Sequence, residues 1–346
     1  MRVIIDGKCL LPPRGGVARY LEGLLVGLAG VPHPEAVIDT VAPPSPRRTL
    51  PWVLGGLRRA SHRGADVLHC PFYYPPPWPG CPVVVVLHDV LFLEHPEWFS
   101  PRVLHPIRLL AGRGARRAAA VVTATRTTAA LVVERCRVPA ERVRVITYGL
   151  DHTLFTPAVS AAIAATRRRF GLDRPYVLQV GAADRRRGVD TALAAVARAR
   201  RRHGDLELIL VGGARAEIAA LDHPPAWVRR LGWVDDADLP ALYTGAAAVL
   251  APSRGEGFDL PVLEALACGA PVVASDIPVH TELFAGAVEL FPVGDGEAAS
   301  AALVELVEDS DRAARLVVAG RELARRFEWE EAARRHLELW REVARR

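Results

Sequence analysis

The chain has 346 residues, half of them hydrophobic and about a quarter charged, a composition typical of a globular protein with about two domains. Its apolar runs are far shorter than the roughly 18–20 residues of a membrane-spanning helix. The apolar stretch at the N-terminus is interrupted at Asp6 and is therefore too short to predict a signal peptide. The five cysteines form no C-x-x-C pair, which argues against a disulfide scaffold or a zinc site and indicates a reducing cytosol.

Charge is unevenly distributed along the chain, whose net charge is +5. The part before Phe155 is basic, the remainder is slightly acidic, and Lys8 is the only lysine. A basic half indicates an anionic partner such as a phosphate group, an anionic membrane or a nucleic acid. The alternative is an arginine-rich, GC-biased composition spread over solvated faces. No element carries a basic and aromatic stripe, which disfavours nucleic-acid binding.

Strands and helices are predicted to alternate throughout. The first set has strands at residues 2–6, 67–70, 83–87, 121–124 and 143–147, and helices at 17–28, 102–119 and 127–135. The second has strands at 176–180, 206–211, 230–231, 248–251, 271–275 and 288–291, and helices at 190–203, 237–243, 261–268, 297–307, 311–327 and 329–346. Two such sets predict an α/β protein with two Rossmann-like, doubly wound parallel-sheet domains.

The domain boundary is predicted in the small-residue segment 156–166, which gives domains 1–160 and 161–328 followed by a C-terminal helix, 329–346. The proline-rich stretches 43–51 and 71–82 are interpreted as stiff surface loops. No G-x-G-x-x-G follows the first strand, and no G-x-x-x-x-G-K-[ST] occurs. Two Rossmann-like domains without either fingerprint predict a ligand in a cleft between them.

The most informative segment is residues 252–275, which predicts a strand end, a glycine-containing loop, a short helix and a further strand. The backbone amides of Phe258, Asp259 and Leu260 would lie at the N-terminus of that helix, where they can bind a phosphate. Glu264 is a carboxylate in an otherwise apolar helix and therefore needs strong donors, such as ligand hydroxyls. Glu256 lies at the strand edge where open α/β sheets bind ligands. The alternative is a pair of solvated acids.

These residues resemble a known family. Glu256 and Glu264 are similar to the E-x7-E motif of retaining glycosyltransferases of family four, which have the GT-B fold. The N-terminal R-G-G-V-A-R-Y at 14–20 resembles that family's glycine loop, and H-D at 88–89 its H-D element. V-G-A-A-D-R-R-R-G at 180–188 and T-Y-G-L-D at 147–151 resemble two further motifs, with Tyr148 in place of an asparagine. The resemblance is nearest to bacterial polysaccharide mannosyltransferase-like members.

The resemblance assigns the donor diphosphate to several residues. Arg187 stands where the family has a lysine that binds the diphosphate, and Arg186 matches the preceding arginine; their charge would stabilise the leaving nucleotide. Guanidinium suits this role because it contacts phosphate in a bidentate manner. Gly15 and Gly16 would let backbone amides approach the same phosphates. The alternatives are a solvated arginine turn and an ordinary helix start.

The remaining roles also follow from the resemblance. Glu264 is assigned to the ribose hydroxyls, Glu256 to hydroxyls of the transferred sugar, and Trp233 to the base-binding strand end. His88 is expected to hydrogen-bond the donor sugar, so that His88, Arg187 and Glu256 form the catalytic set. A histidine that caps a buried strand is the alternative for His88. Two alternatives stay open for the Asp259 carboxylate: it contacts a sugar hydroxyl, or it faces water.

The resemblance thus implies two Rossmann-like domains facing a cleft, with the C-terminal helix crossing back to the first domain. It implies a metal-independent, retaining enzyme without a cofactor that moves a hexose from a nucleoside-diphosphate sugar to a saccharide, lipid-linked or small-molecule acceptor. GDP-mannose is favoured as the donor by subgroup similarity alone. The D-x-D spelling at 236–238 is interpreted as helix-start acids rather than a metal site.

A cytoplasmic enzyme in peripheral contact with the anionic inner membrane face would fit the basic first domain. Two alternatives to a transferase stay open. A nucleotide-sugar epimerase of the same architecture would act on the donor without an acceptor, and a non-catalytic nucleotide-sugar-binding partner would bind the donor without turnover.

Overall fold

A computed structural model describes residues 1–12, 15–45, 49–213 and 221–345. Arg14 of the glycine-loop motif and residues 46–48 of the first proline-rich stretch lie outside this description. The chain divides into two compact units: Met1–Gly149 together with the chain from Phe327 onward, and Leu150–Arg326. Within the described ranges, no helix has both the length and the apolar sequence needed to cross a membrane.

The first unit is built on a parallel sheet with the order β2-β1-β3-β4-β5-β6. Its strands are β1 (Arg2–Asp6), β2 (Val37–Val41), β3 (Val67–Cys70), β4 (Val83–Val86), β5 (Ala120–Thr123) and β6 (Val143–Val145). Its helices are α1 (Gly16–Gly30), α2 (Thr49–Pro51), α3 (Arg58–Ser61), α4 (Leu91–Glu94), α5 (Pro101–Arg117) and α6 (Arg126–Cys136). Strands β3, β4 and β5 are buried along their whole length, because helices cover both faces of a doubly wound sheet.

The second unit contains a parallel sheet with the order β12-β11-β10-β7-β8-β9. Its strands are β7 (Tyr176–Val180), β8 (Glu207–Val211), β9 (Val228–Gly232), β10 (Ala248–Ala251), β11 (Val272–Ser275) and β12 (Glu289–Phe291). Its helices are α7 (Ser160–Phe170), α8 (Val189–Ala199), α9 (Leu239–Thr244), α10 (Leu260–Ala267), α11 (Pro278–Phe284), α12 (Gly296–Glu308) and α13 (Ser310–Ala324). Helices α8 and α12 pack against each other and contribute Val196 and Leu303 to the core of this unit.

Strand order in each sheet reverses at one point. In the first sheet the chain goes from β1 outward to β2 and then returns to β3 on the other side of β1. In the second sheet the same reversal lies between β7 and β10. Loops that leave the two strands at such a switch point turn in opposite directions and leave a crevice at their carboxyl ends, where open α/β sheets bind ligands.

The last helix, α14 (Trp329–Ala344), belongs to the first unit and packs along α1. The sequence prediction that the C-terminal helix returns to the first domain is therefore confirmed. Glycines on α1 make the contact close: a Cβ atom at Gly23 would overlap the indole of Trp329, and one at Gly27 would overlap the Trp329 carbonyl. The opposite end of α14 buries Trp340 completely.

Strand β2 and the helices α2, α3, α4, α7 and α11 were not predicted from the sequence. Helix α7 begins within the segment 156–166 in which the domain boundary was predicted, and its Ile163 packs near Gly245 in the second unit. Alanine-rich sequence is a strong helix former, so a run of small residues there formed a helix rather than a flexible connection. Strand β2 was not predicted, because as the edge strand it is half exposed and lacks the continuous apolar run of the inner strands.

Candidate active site

Two loops meet at the switch point of the second sheet. One, residues 181–188, follows β7, and the other, residues 252–259, follows β10. The backbone N–H of Arg254 donates to the carbonyl of Arg186 at 2.8 Å. Gly188 has φ +64°, and a Cβ atom there would overlap the carbonyl oxygen of Pro252. Both loops are therefore fixed against each other through backbone contacts.

The sequence-predicted residues Arg186, Arg187 and Glu256 come together in these loops. Arg187 Nε lies 3.2 Å from Glu256 Oε1, and Arg186 Nη1 donates to Glu256 Oε2 at 2.7 Å. Ser253 Oγ donates to the same carboxylate at 2.9 Å. A Cβ atom at Gly181 would lie only 3.2 Å from the Arg187 guanidinium carbon, so the glycine makes room for this side chain.

Asp259 supplies a second carboxylate to the cluster. Its side chain is completely buried and accepts from Arg187 Nη1 at 2.7 Å. Asp259 also has φ +75°, a conformation that aspartate tolerates better than most residues. The carboxylate therefore does not face water, which was one of the two alternatives for it.

His280, which the sequence analysis did not select, completes the cluster. Its Nε2 lies 3.0 Å from Asp259 Oδ2 and its Nδ1 lies 2.8 Å from the Ser275 carbonyl. A carboxylate and a carbonyl only accept hydrogen bonds, so each ring nitrogen lies next to an acceptor. Burial raises the pKa of Asp259, but the charges of Arg187 and His280 outweigh it and hold that pKa well below its usual value of 3.8.

The cluster contains charges of both signs. Arg186 and Arg187 face the carboxylates of Glu256 and Asp259, and the Asp184 carboxylate accepts from the backbone N–H of Arg187. The side chain of Arg187 keeps 15% of its surface exposed and that of Arg186 keeps 24%. Both arginine side chains are thus mostly buried, and that of Arg186 keeps the larger accessible fraction.

Glu264 lies on α10 and has no exposed surface. The phenol of Tyr243, at the end of α9, donates to Glu264 Oε2 at 2.9 Å. The protein thus provides one of the donors that the buried carboxylate requires, and sequence reasoning missed it. Phe258 and Leu260 are also buried, at the start of α10.

Trp233 follows the carboxyl end of β9 in the second unit and is 74% exposed. Its indole lies beside Gly213, at which a Cβ atom would be 3.3 Å from Trp233 Nε1. An exposed aromatic ring at the edge of the sheet is available for stacking.

In the first unit, His88 follows the carboxyl end of β4. Its Nε2–H donates to the Pro71 carbonyl at 2.8 Å, and its Nδ1 accepts from the phenol of Tyr148. Burial lowers the pKa of His88 to about 4, so the ring is neutral. Both nitrogens are thus occupied within this unit, and Tyr148, which replaces the asparagine of the resembled motif, is one of the two partners.

Gly15 and Gly16 lie at the start of α1. A Cβ atom at either position would meet no atom of the described residues within 4 Å. Among the residues that the structure describes, no group of three His, Cys, Asp or Glu side chains is placed to hold a metal ion.

Two family models match the chain, one for each half. Residues 14–154 match the model described as Glycosyltransferase Family 4, and residues 174–309 match the model described as Glycosyl transferases group 1. The second match contains the E-x7-E loop and the arginines beside it. Both halves of the chain are thus similar to glycosyltransferases.

Curated relatives of the chain are named as glycosyltransferases. It is 38% identical to O-antigen chain mannosyltransferase B of Escherichia coli over 30% of its own length and 27% of that protein. It is 32% identical to alpha-D-kanosaminyltransferase of Streptomyces kanamyceticus over 57% and 53% of the two chains. The chain thus spans between about a quarter and about half of the length of these two relatives.

Solved structures show the same fold at low sequence identity. The complex of Anabaena Alr3699/HepE with UDP and glucose has a TM-score of 0.76 at 19% identity and covers 99% of this chain and 100% of its own. Sucrose-phosphate synthase from Thermosynechococcus elongatus has a TM-score of 0.78 at 22% identity, with 99% and 98% covered. Together with the two six-stranded sheets, these likenesses show that the chain has the GT-B fold predicted from its sequence.

Proposed function

We propose that this chain is a glycosyltransferase that moves a hexose from a nucleoside-diphosphate sugar to a saccharide, lipid-linked or small-molecule acceptor. The observation that carries the proposal is the fixed pair Arg186 and Arg187 beside the Glu256 carboxylate of the E-x7-E motif at the switch point of the second sheet. A diphosphate leaving group develops negative charge as the glycosidic bond breaks. Pre-oriented cations stabilise that charge more in the transition state than in the ground state.

The donor would dock in the second unit. The diphosphate is assigned to Arg186, Arg187 and the start of α10, where the backbone at Phe258 and Leu260 opens the helix. Glu264 would bind ribose hydroxyls and Glu256 hydroxyls of the transferred sugar, while Trp233 would lie against the base. Because Glu256 is itself held by two arginines and a serine hydroxyl, its oxygen atoms are fixed in place before the sugar arrives.

The finer assignments are part of the proposal. Retention of the anomeric configuration and the absence of a metal ion are proposed from the family resemblance, and the arginine pair supports the latter because it offers the charge that a metal would otherwise supply. Mannose as the hexose is supported by the likeness to O-antigen chain mannosyltransferase B. The acceptor would bind the first unit, and the resemblance assigns His88 of that unit to the donor sugar.

Contact with an anionic membrane face at the cytoplasmic side is proposed for the first unit. Leu50, Leu54 and Trp78 are exposed there, and Arg58 Nε donates to the Trp78 carbonyl at 3.3 Å. Exposed apolar side chains next to arginine suit a lipid surface. Sedimentation with anionic vesicles tests this: the double variant Leu54→Ser and Trp78→Ser should bind less than the parent, and equal binding would refute it.

The central experiment measures thermal stabilisation by UDP, GDP, ADP, dTDP and their sugar conjugates, with and without EDTA. A ligand at about a hundred times its Kd adds roughly 2.7 kcal/mol to the native state. Arg187→Lys restores the residue typical of the family and should keep the stabilisation, whereas Arg187→Met should lose it. Arg198→Ala, at an exposed arginine on α8, is the control.

Turnover separates the remaining alternatives. With the stabilising donor, nuclear magnetic resonance of the product reports both transfer and anomeric configuration. Conversion of the donor sugar without an acceptor would instead indicate an epimerase, and binding without any turnover would indicate a non-catalytic partner. Loss of stabilisation in EDTA would contradict metal independence.

A further inference from the structure

A small cavity of about 10 Å³ lies next to Arg187 in the second unit. It is formed by the end of β7, by β10 and the residues after it, and by the start of α10. Gln179, Arg187, Ser253 and Asp259 are the polar residues of its wall. One buried water molecule needs at least about 10–15 Å³ of such space, so the cavity is too small for a sugar or a phosphate group.

Gln179 lies near the end of β7 and is 5% exposed. Its Nε2 donates to the carbonyl of Arg187 at 2.8 Å. Because a carbonyl only accepts hydrogen bonds, the NH₂ group of the amide must face it, which fixes the position of Oε1. Oε1 is buried, and among the residues that the structure describes none donates to it. A buried acceptor without a donor is costly, so this atom requires a partner.

Arg187 Nε is a second buried polar atom without a hydrogen-bond partner in the described part of the chain. It lies 3.2 Å from Glu256 Oε1, but this contact is an ion pair without the geometry of a hydrogen bond. Nη1 of the same guanidinium donates to Asp259 Oδ1 at 2.7 Å. A lysine has a methylene group at the position of Nε, so the need for an acceptor at this point comes with the arginine.

An unsatisfied donor and an unsatisfied acceptor thus belong to residues that line the same cavity. A cation there would be repelled by the guanidinium of Arg187, and an anion would be repelled by the carbonyl oxygen of Gln179. Water both donates and accepts, and buried water typically satisfies polar groups that have no other partner. The Asp259 carboxylate also lines the cavity and offers an acceptor for the second hydrogen of the water.

We propose that one water molecule is buried in this cavity, where it accepts from Arg187 Nε and donates to Gln179 Oε1. Through this water, Gln179 is a positioning residue that holds the guanidinium of Arg187 in one orientation. The water site concerns the second unit alone and needs no ligand. That the orientation serves a diphosphate rests on the proposed function.

A crystal structure of the parent without nucleotide tests the water directly. We expect a density peak at about 2.7–3.2 Å from both Arg187 Nε and Gln179 Oε1. Gln179→Met introduces a flexible apolar side chain that packs well in cores and removes the acceptor, so the peak should be absent from this variant. An empty cavity in the parent, or a peak that persists in Gln179→Met, would overturn the proposal.

A double-mutant cycle tests whether Gln179 acts through Arg187 Nε. Its second background is Arg187→Lys, which keeps the positive charge and lacks Nε. In the parent, Gln179→Met should lower the affinity for the stabilising nucleoside diphosphate about tenfold, the factor for one hydrogen bond to a charged group. In Arg187→Lys, the same substitution should change the affinity less than about twofold. The lost bond to the backbone carbonyl of residue 187 is common to both backgrounds and cancels.

Leu210→Met is the matched control. Leu210 is buried and pairs in register with Gln179 on the neighbouring strand β8, so the control places the same side chain in the same sheet and should leave the affinity unchanged. Equal losses in both backgrounds of the cycle, or a tenfold loss in the control, would show a merely structural effect and refute the role of Gln179. A parent that binds no nucleotide would refute the transferase function, and the crystal structure would still decide on the water.

Discussion

Asp259→Asn is the substitution that tests the charged cluster most directly. Asparagine has the same shape as aspartate and tolerates the positive φ at this position. Its amide oxygen can still accept from Arg187, which lies 2.7 Å from Asp259 Oδ1. The variant therefore removes one negative charge while leaving the backbone and one hydrogen bond in place.

The expected loss of stability follows from the burial of the pair. Removing one partner of a buried ion pair costs about 3–5 kcal/mol. Glu256 continues to face Arg187 at 3.2 Å, so we expect a loss of about 3 kcal/mol in the free energy of unfolding. Because the fold lowers the pKa of Asp259 below 3.8, its contribution is present above pH 3.8 and is lost as the pH falls through the lower folded pKa. The difference between the two proteins should therefore shrink only below pH 3.8.

Nucleotide affinity should change in the opposite direction. A carboxylate about 10 Å from a bound diphosphate repels a unit charge by roughly 1.7 kcal/mol at an effective dielectric constant of 20. Its removal leaves Arg187 with more uncompensated charge. We expect the affinity for the nucleoside diphosphate to rise about tenfold in Asp259→Asn.

Urea unfolding followed by circular dichroism, and calorimetric titration with the stabilising nucleoside diphosphate, measure the two effects. Asp190→Asn is the control, because Asp190 also lies 2.7 Å from an arginine, Arg254, but is 51% exposed; it should lose less than about 1 kcal/mol. An Asp259→Asn protein as stable as the parent, or one that binds the nucleotide more weakly, would refute the reasoning.

Three further outcomes are expected. Gly16→Ala meets no atom of the described residues and improves a helical position by up to about 1 kcal/mol, so it should keep or raise the melting temperature and lower kcat/KM; unchanged kcat/KM would show that no ligand approaches this backbone. Gly188→Ala should lose about 2 kcal/mol or more in urea unfolding, because its φ is +64° and Pro252 blocks the side chain; a loss under about 0.5 kcal/mol would contradict this. Burial lowers the pKa of both His88 and His336 to about 4 from 6.5. The free energy of unfolding should therefore be highest above pH 6.5 and fall by roughly 3 kcal/mol for each histidine by pH 4. A constant free energy of unfolding over that interval would exclude neutral buried rings.

Much of the fold was predictable because the inner strands have a strong local signal. The bounds of β1, β3, β7 and β10 agree with the sequence prediction, since each is a short apolar run that the sheet buries on both faces. Helix α7 and strand β2 were missed for the reverse reason: one is rich in small residues and the other is half exposed. Local patterns are weakest where burial is partial.

The motif residues of the candidate site could be predicted from the sequence, but the side chains that hydrogen-bond to them could not. The spacing of Glu256 and Glu264 identified the motif, and the glycine loop that contains the two arginines identified them. His280 and Tyr243 were missed because their contacts join residues 21 positions apart, with Asp259 and Glu264 respectively. Only the packing of α9 and α11 near α10 brings these side chains together, and neither histidine nor tyrosine carries a local signal for that.

The return of α14 to the first unit has a consequence for biosynthesis. The chain is made from its N-terminus, so the second unit, Leu150–Arg326, is completely synthesised while α14 has not yet left the ribosome. Until Trp329 arrives, the glycine face of α1 that receives it stays uncovered. Domains generally fold as units during synthesis, so the second unit can become native first, and the unit that begins the chain is the last to be finished.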